Sequence, residues 1–298
     1  MNANGEPQTT ASASHYGPRS ISRHLYDNAK RWHGFASCLT FAGFLAGALA
    51  VVGLAPSKPI PFVVAALAVA GEAASYFARS RYSNAEWLQR KLDMLDSLGW
   101  EVTAKEWTDF LARCPKSVKG KSRTDPAGGA FFASQDSPGA RKAFQNMLES
   151  AWWSKHLCER MYQLYFFLLG VAILGSIAAL IVSLEVAPIR DEAGRVNRDA
   201  LSAVANAVTS VLMLVISLRL AEAALGFLQF SREAERCEDE AEAALAAQSE
   251  DTIKAAKLWH EYQLERAIAP VLPTWIWKMR RDELNDLWRT HRQNQKLE

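Results

Sequence analysis

The sequence has no large surplus of charge of either sign. Its 298 residues carry 34 basic and 32 acidic side chains for a net charge of +2. No field builds up that would hold a nucleic-acid duplex, so no duplex partner is expected. Cysteines are few and unpaired in spacing: Cys38, Cys114, Cys158 and Cys237 form no CxxC, which leaves neither a zinc ribbon nor a disulfide framework to read. The six histidines are as scattered and make no HExxH helix, so no metal and no cofactor is expected. GxSxG, P-loop and dinucleotide-binding glycine patterns are missing too, and with them the common signatures of an enzyme. Residues 1–20 are rich in Ala, Ser, Asn and Gly without an apolar core; they read as a disordered leader, not a cleavable signal peptide.

What the chain does have is long apolar runs. A helix needs about 20 apolar residues to cross the hydrocarbon core, and Gly34 to Leu54 is uncharged throughout. Ile60 to Phe77 follows a Pro-Ser-Lys-Pro-Ile-Pro turn, with Glu72 as its one ionisable residue. Leu164 to Leu184 and Ala200 to Leu218 are again uncharged. The expected class is therefore all-α, an integral membrane protein with four transmembrane helices in two hairpins and helical cytoplasmic segments. The expected divisions are 21–80 for a lead-in and the first hairpin, 81–160 for a helical cytoplasmic domain, 161–220 for the second hairpin and 221–298 for a C-terminal helical stalk with a basic, disordered tail.

Orientation follows from the positive residues, which stay cytoplasmic. Arg19, Arg23, Lys30 and Arg31 precede the first span, and Arg79, Arg81, Arg90 and Lys91 follow the second. Lys155 and Arg160 precede the third, and Arg219, Arg232 and Arg236 follow the fourth. The loops inside the hairpins carry only Lys58, and then Arg190, Arg195 and Arg198. Both termini are expected in the cytoplasm.

Two sets of residues suggest a pore or gate. Ser202, Asn206, Thr209, Ser210 and Ser217 recur at three- and four-residue steps along one face of the fourth span. They read either as a wet pore lining or as interhelical hydrogen bonding. Glu72, Arg219 and Glu222 lie toward the cytoplasmic ends of spans that run in the same direction, and unpaired charges are costly in lipid. Glu72 is expected to face Arg219 as a latch, unless Arg219 snorkels to the interface.

The cytoplasmic segments carry the candidate ligand residues. Helical periodicity runs through Leu88, Leu92, Leu95 and Leu98 to a break at Gly99, then through Trp107, Phe110 and Leu111. The stretch 116–138 reads as a basic loop in which Lys119, Lys121 and Arg123 precede Phe131 and Phe132. Cations beside aromatic rings suit a phosphate-bearing ligand whose bases stack; a loop near anionic headgroups would have the same composition. Ser137 and Pro138 read as the cap and first residue of the next helix, which bears Arg141 and Lys142. Trp152 and Trp153 read as interfacial anchors. After the fourth span the helix is expected to continue unbroken into the stalk. Ile253 to Ala269 and a segment capped by Thr274 read as the closing helices.

Three stretches carry a family resemblance. Leu25-Tyr26-Asp27-Asn28-Ala29-Lys30 stands ahead of the first span. Phe131-Phe132-Ala133-Ser134 leads to Ser137-Pro138-Gly139-Ala140-Arg141, then Asn146, Glu149, Ser150 and His156-Leu157. Pro270-Val271-Leu272-Pro273-Thr274-Trp275 opens the last segment, with Arg281 beyond. In order and spacing, the chain resembles the SMODS-associating four-transmembrane effectors found beside cyclic-oligonucleotide synthases in bacterial anti-phage (CBASS) systems. The residues before Tyr26 and the basic run to Arg123 lie outside the likeness. The resemblance implies an inner-membrane protein, idle until a cyclic oligonucleotide messenger binds, that then opens or assembles a pore and stops growth. Four helices enclose little lumen, so a homo-oligomer in the lipid bilayer is expected. The alternative is a membrane-anchored sensor or scaffold whose stalk recruits partners.

Overall fold

The computed structural model describes residues 17–51, 59–124, 131–186 and 219–295. Among them every regular element is a helix: α1 (Pro18–Val51), α2 (Ile60–Leu98), α3 (Ala104–Arg113), α4 (Lys116–Thr124), α5 (Ala140–Val186), α6 (Leu220–Ala246), α7 (Thr252–Ile268) and α8 (Thr274–Gln295). The class is all-α, as the periodicity indicates.

Helices α1 and α2 form one antiparallel pair. Its register is set by Arg19 on Asp96 at 2.6 Å, Ser22 on Gln89 at 3.1 Å and Tyr26 on Glu86 at 2.6 Å. Trp32 meets Phe77 farther along, with ring centroids 5.3 Å apart. Ala36, Gly43, Gly71 and Ala74 are buried between the two helices, since small residues let helix backbones approach. α1 opens on Pro18, whose missing donor is harmless in a first turn. The leader expected to reach residue 20 therefore ends earlier, and Ser20 is fully buried. α2 ends at Gly99, whose φ of 73° closes the helix in the left-handed conformation. α3 begins with a capping box between Thr103 and Glu106.

The expected loop over 116–138 is corrected at its start, because Lys116–Thr124 is helical. Its Lys, Ser and Gly residues are ordinary or poor helix formers. Pro115 lies just ahead, and Val118 and Ser122, four residues apart, are buried where α4 packs on α1. Burial of that face outweighs propensity. The next helix starts at Ala140 instead of Pro138, and the Gly139 N–H just ahead of it donates to the Ser97 carbonyl at 2.9 Å. That bond docks the start of α5 on the end of α2.

Helices α5 and α6 form the second antiparallel pair. Lys155 reaches Glu238 at 2.9 Å and Glu235 at 3.6 Å, and Tyr165 packs on Phe227 with centroids 5.7 Å apart. Burial pushes the Glu238 carboxyl up, and the Lys155 ammonium draws it back. α7 and α8 fold onto this pair and bury Trp259, Tyr262 and Leu284 in a core with Phe144, Met147, Met161 and Phe227. The expected stalk is thus one wall of a helical body, not a projection. Nor does its helix run unbroken from upstream: Arg219 has a φ of 50° and α6 starts at Leu220. Trp152 is also reassigned. It is 5% exposed, against Trp288 at 5.2 Å, so it packs in the body instead of anchoring in lipid. The basic tail is helical to Gln295.

Two helices, α2 and α5, are long and apolar enough to cross a membrane. Only 17% of each apolar window is buried within the protein, which separates them from the core helices of a soluble bundle. Phe62 is 79% exposed on α2, and Phe167 and Leu174 are 67% and 68% exposed on α5. Contiguous apolar surface of that kind needs a partner phase. The described part of α1 ends at Val51, and the fourth apolar run lies outside the described residues.

Candidate functional site: a buried ion network between the two helix pairs

The interior of a protein tolerates charge only when it is paired and hydrogen-bonded, so the buried charges mark a position the fold has built around. On α2, Glu86, Gln89 and Asp93 recur at steps of three and four and are almost fully buried. They form a polar stripe beside the apolar one of Leu88 and Leu92. On α7, Tyr262 and Arg266 are four residues apart and share a face. The folding of α7 against both pairs brings the stripes together.

Arg266 is the centre. Its Nε lies 3.1 Å from one Glu86 oxygen, its Nη1 3.5 Å from Asp93, and its Nη2 donates to the Tyr26 hydroxyl at 2.8 Å. Tyr26 in turn donates to Glu86 at 2.6 Å, and Gln89 donates to Asp93 at 2.6 Å. Burial disfavours the Arg266 charge, but Glu86, Tyr26 and Asp93 outweigh it and hold the guanidinium well above its ordinary value. Burial also pushes the Tyr26 phenol up, so it stays a donor. One turn earlier, the Tyr262 hydroxyl meets the Ser154 hydroxyl at 2.6 Å and the Ser150 carbonyl at 3.0 Å on α5. Burial raises its pKa as well. Trp259 donates from Nε1 to the Ala143 carbonyl at 2.9 Å. One face of α7 thus holds the α1–α2 pair through Arg266 and α5 through Tyr262 and Trp259. This arrangement can fix one mutual position of the two pairs, because separating Arg266 from Glu86 and Asp93 would leave uncompensated charge in the interior.

The candidate ligand residues fall in separate places. Lys119 donates to the Leu111 carbonyl at 3.1 Å and so closes the end of α3, while Lys121 and Arg123 are exposed on α4. Phe132 is buried in the core beside Trp259, at 6.1 Å between centroids. Phe131 is 54% exposed, with the Arg19 guanidinium 4.5 Å above its ring. Arg141 pairs with Asp136 at 3.4 Å and lines an open hollow of about 670 Å³ with Asp136, Ser137 and Glu250. The two carboxylates there offset attraction for phosphate. Lys142 next to it is half-buried. A second open groove, of about 580 Å³, runs between α6 and α7 past Gln229, Arg232, Arg236 and Glu265. Arg236 there is tied to Glu233, to Glu240 and, at 2.8 Å, to Glu261.

Of the pore and gate residues, Ser202, Asn206, Thr209, Ser210 and Ser217 lie outside the described residues. Glu72 is exposed on the apolar part of α2. Arg219 pairs with Glu222 at 3.4 Å, and among the described residues no ion pair joins it to Glu72. The buried carboxylates of α2 that meet an arginine are Glu86 and Asp93, at Arg266. The sequence signal for that site was the polar stripe on α2, which a search for apolar periodicity passes over. No group of three or more metal-ligating side chains comes together among the described residues.

Among the described residues, the fold and site define an all-helical architecture with two helices fit to cross a membrane and a buried ionic junction between its two helix pairs. Comparison with protein-family models, with curated proteins and with solved structures found no match.

Proposed function

We propose that the chain is a membrane effector of bacterial anti-phage defence, which a cyclic oligonucleotide messenger activates to open or assemble a pore in the inner membrane. The reading takes the four apolar runs as spans, both termini as cytoplasmic, and several copies as the pore. It assigns no enzymatic step and no cofactor. The messenger class rests on the resemblance to the SMODS-associating four-transmembrane effectors.

One structural observation carries the gating part. The two described helices that are long and apolar enough to cross a membrane, α2 and α5, both reach the buried junction. α2 passes from Phe62 to Glu86 and Asp93 in one 39-residue helix, about 58 Å at 1.5 Å per residue. α5 passes from Phe144 to Leu174 in one of 47 residues, about 70 Å. The hydrocarbon core takes up about 30 Å of each. A helix transmits displacement along its axis, so a ligand that shifts the cytoplasmic body moves the spans with it. The ligand need only bind the open arrangement better than the closed one. Moving the balance from 1:99 to 99:1 takes about a 10⁴-fold preference, or about 5.5 kcal/mol.

The test is dye release from vesicles that contain the purified chain, with cyclic di- and trinucleotides added one at a time. Release by one of them supports the effector and names its messenger. Silence across the panel with correctly inserted protein overturns the pore and leaves a membrane-anchored sensor or scaffold.

A further inference from the structure

The body ends toward the membrane in a patch of exposed aromatic and aliphatic side chains that the pore reading does not use. Ile268 is 72% exposed, Trp275 50%, Trp277 39% and Met279 63%. Lys278 is exposed among them, and the Arg281 guanidinium lies 5.1 Å over the Trp277 ring. These residues surround the turn between α7 and α8.

Two independent contacts set the height of that turn. A Cβ on Gly226 would lie 2.9 Å from the ring of Pro270, so Pro270 is level with Gly226. The neighbouring Phe227 packs on Tyr165, next to Leu164, where the apolar run of α5 begins. Separately, α8 runs down along α5: Arg280 is in electrostatic range of His156, Trp288 packs on Trp152, and Arg292 is in range of Glu149. Trp275, five residues before Arg280, then lies about 7 Å above the level of His156, and Leu164 about 12 Å above it. Both routes put the turn within about one helical turn of the apolar boundary. On α8 the core face carries Ile276, Leu284 and Trp288. Trp275, Lys278 and Met279 lie on the opposite side, away from the body.

We infer that the α7–α8 turn and the first turns of α8 dock on the cytoplasmic surface of the lipid bilayer, with Trp275 and Trp277 seated among the headgroups and Lys278 and Arg281 toward anionic lipid. Tryptophan is enriched at that depth because its ring is apolar and its N–H needs a polar partner. Lysine or arginine near an anionic surface is drawn to it electrostatically. The patch lies within about one helical turn of the level where the apolar run of α5 begins, so a bilayer covering that run reaches the patch. Such docking supports α7 from the membrane side two residues beyond Arg266, so the junction is held between the body and the bilayer. The inference rests on the reading of α5 as a membrane span.

The test uses the full chain with Cys38→Ser, in which Cys114, Cys158 and Cys237 are buried. Spin labels are placed by Met279→Cys, Trp277→Cys, Phe167→Cys or Ile253→Cys, and the protein is reconstituted in vesicles of phosphatidylcholine with or without phosphatidylglycerol. Relaxation by oxygen is compared with relaxation by a water-soluble nickel chelate. Docking predicts that positions 279 and 277 favour oxygen several-fold over position 253, and more strongly with phosphatidylglycerol. A lipid signal at 167 with an aqueous signal at both 277 and 279 overturns the docking and leaves the span intact. An aqueous signal at 167 overturns the span itself. Protection from both reagents, with dipolar broadening between labels, assigns the patch to contact between copies and also overturns the inference.

Discussion

Arg266 on α7 donates from Nη2 to the hydroxyl of Tyr26 on α1 at 2.8 Å, across 240 positions of the chain. The second described helix from the C-terminus thereby holds the first helix of the structure, and Glu86 on α2 accepts from both partners. Neither α3 nor α4 takes part. The two helix pairs also meet where Gly139 and Asn146 donate to Ser97 and where Met94 and Leu98 pack on the core of the second pair.

Removal of the Arg266 charge should therefore unfold the junction. Arg266→Met leaves Glu86 and Asp93 buried beside each other without a counter-charge, for a loss of about 3–5 kcal/mol. The thermal unfolding midpoint in detergent reads it. Adding Glu86→Gln and Asp93→Asn removes the uncompensated charges, and the triple variant should regain most of the loss. A triple variant no more stable than Arg266→Met would mean that Arg266 acts through something other than this network.

Two of the thiols report on the body without any mutation. Burial pushes Cys114 up to about 11, against the pull of Lys119 and Arg81. Burial, reinforced by Glu233, pushes Cys237 up to about 12. The thiolate is the reacting form, so in mildly alkaline buffer both should resist iodoacetamide until denaturant is added. Mass spectrometry of the alkylated peptides gives the answer, and labelling of either at the rate of a free thiol would contradict its burial.

The approach of α6 to the α7–α8 turn leaves no room for a methyl group. Gly226→Ala sets a Cβ 2.9 Å from both Cγ and Cδ of Pro270, and overpacking of this kind costs about 1–3 kcal/mol. Pro270→Ala in the same chain removes the ring that is struck, so the double variant should lose less than the sum of the two singles. Strict additivity would show that the two residues do not meet.

Much of this architecture was legible in the sequence where hydrophobicity was the deciding force. The apolar part of α2 and the end of that helix at Gly99 follow from apolar periodicity and turn chemistry, whereas the next helix, expected to run through Val102, starts at Ala104 because Thr103 caps it. What the sequence hid lies largely at polar and small residues, whose burial depends on partners elsewhere in the chain. Glu86, Asp93 and Ser22 are buried because a partner on another helix satisfies them, and no local pattern announces that partner. Val118 and Ser122 make a helix of a basic run because α1 lies against it. The residues expected to line a gate, from Ser202 to Ser217, lie outside the described residues.

The wall formed by α6 is the clearest of these cases and gives its own test. Its buried positions Ala224, Phe227, Ser231, Ala234, Glu238 and Ala241 advance by three and four, a seam that alanine and serine hide from a search for large apolar residues. Small side chains there let α6 lie close to Ala151, Cys158 and Met161 of α5. Ala234 is fully buried, so Ala234→Leu must push the helices apart, for about 1–3 kcal/mol. The exposed Ala243→Leu should change stability by less than about 0.5 kcal/mol. Because α5 carries an apolar span, the displaced variant should also raise the resting leak of dye from vesicles when the Ala243→Leu protein does not. Equal stability and equal leak for the two would mean that α6 does not hold α5, and the coupling of body to membrane would have to run through α2 alone.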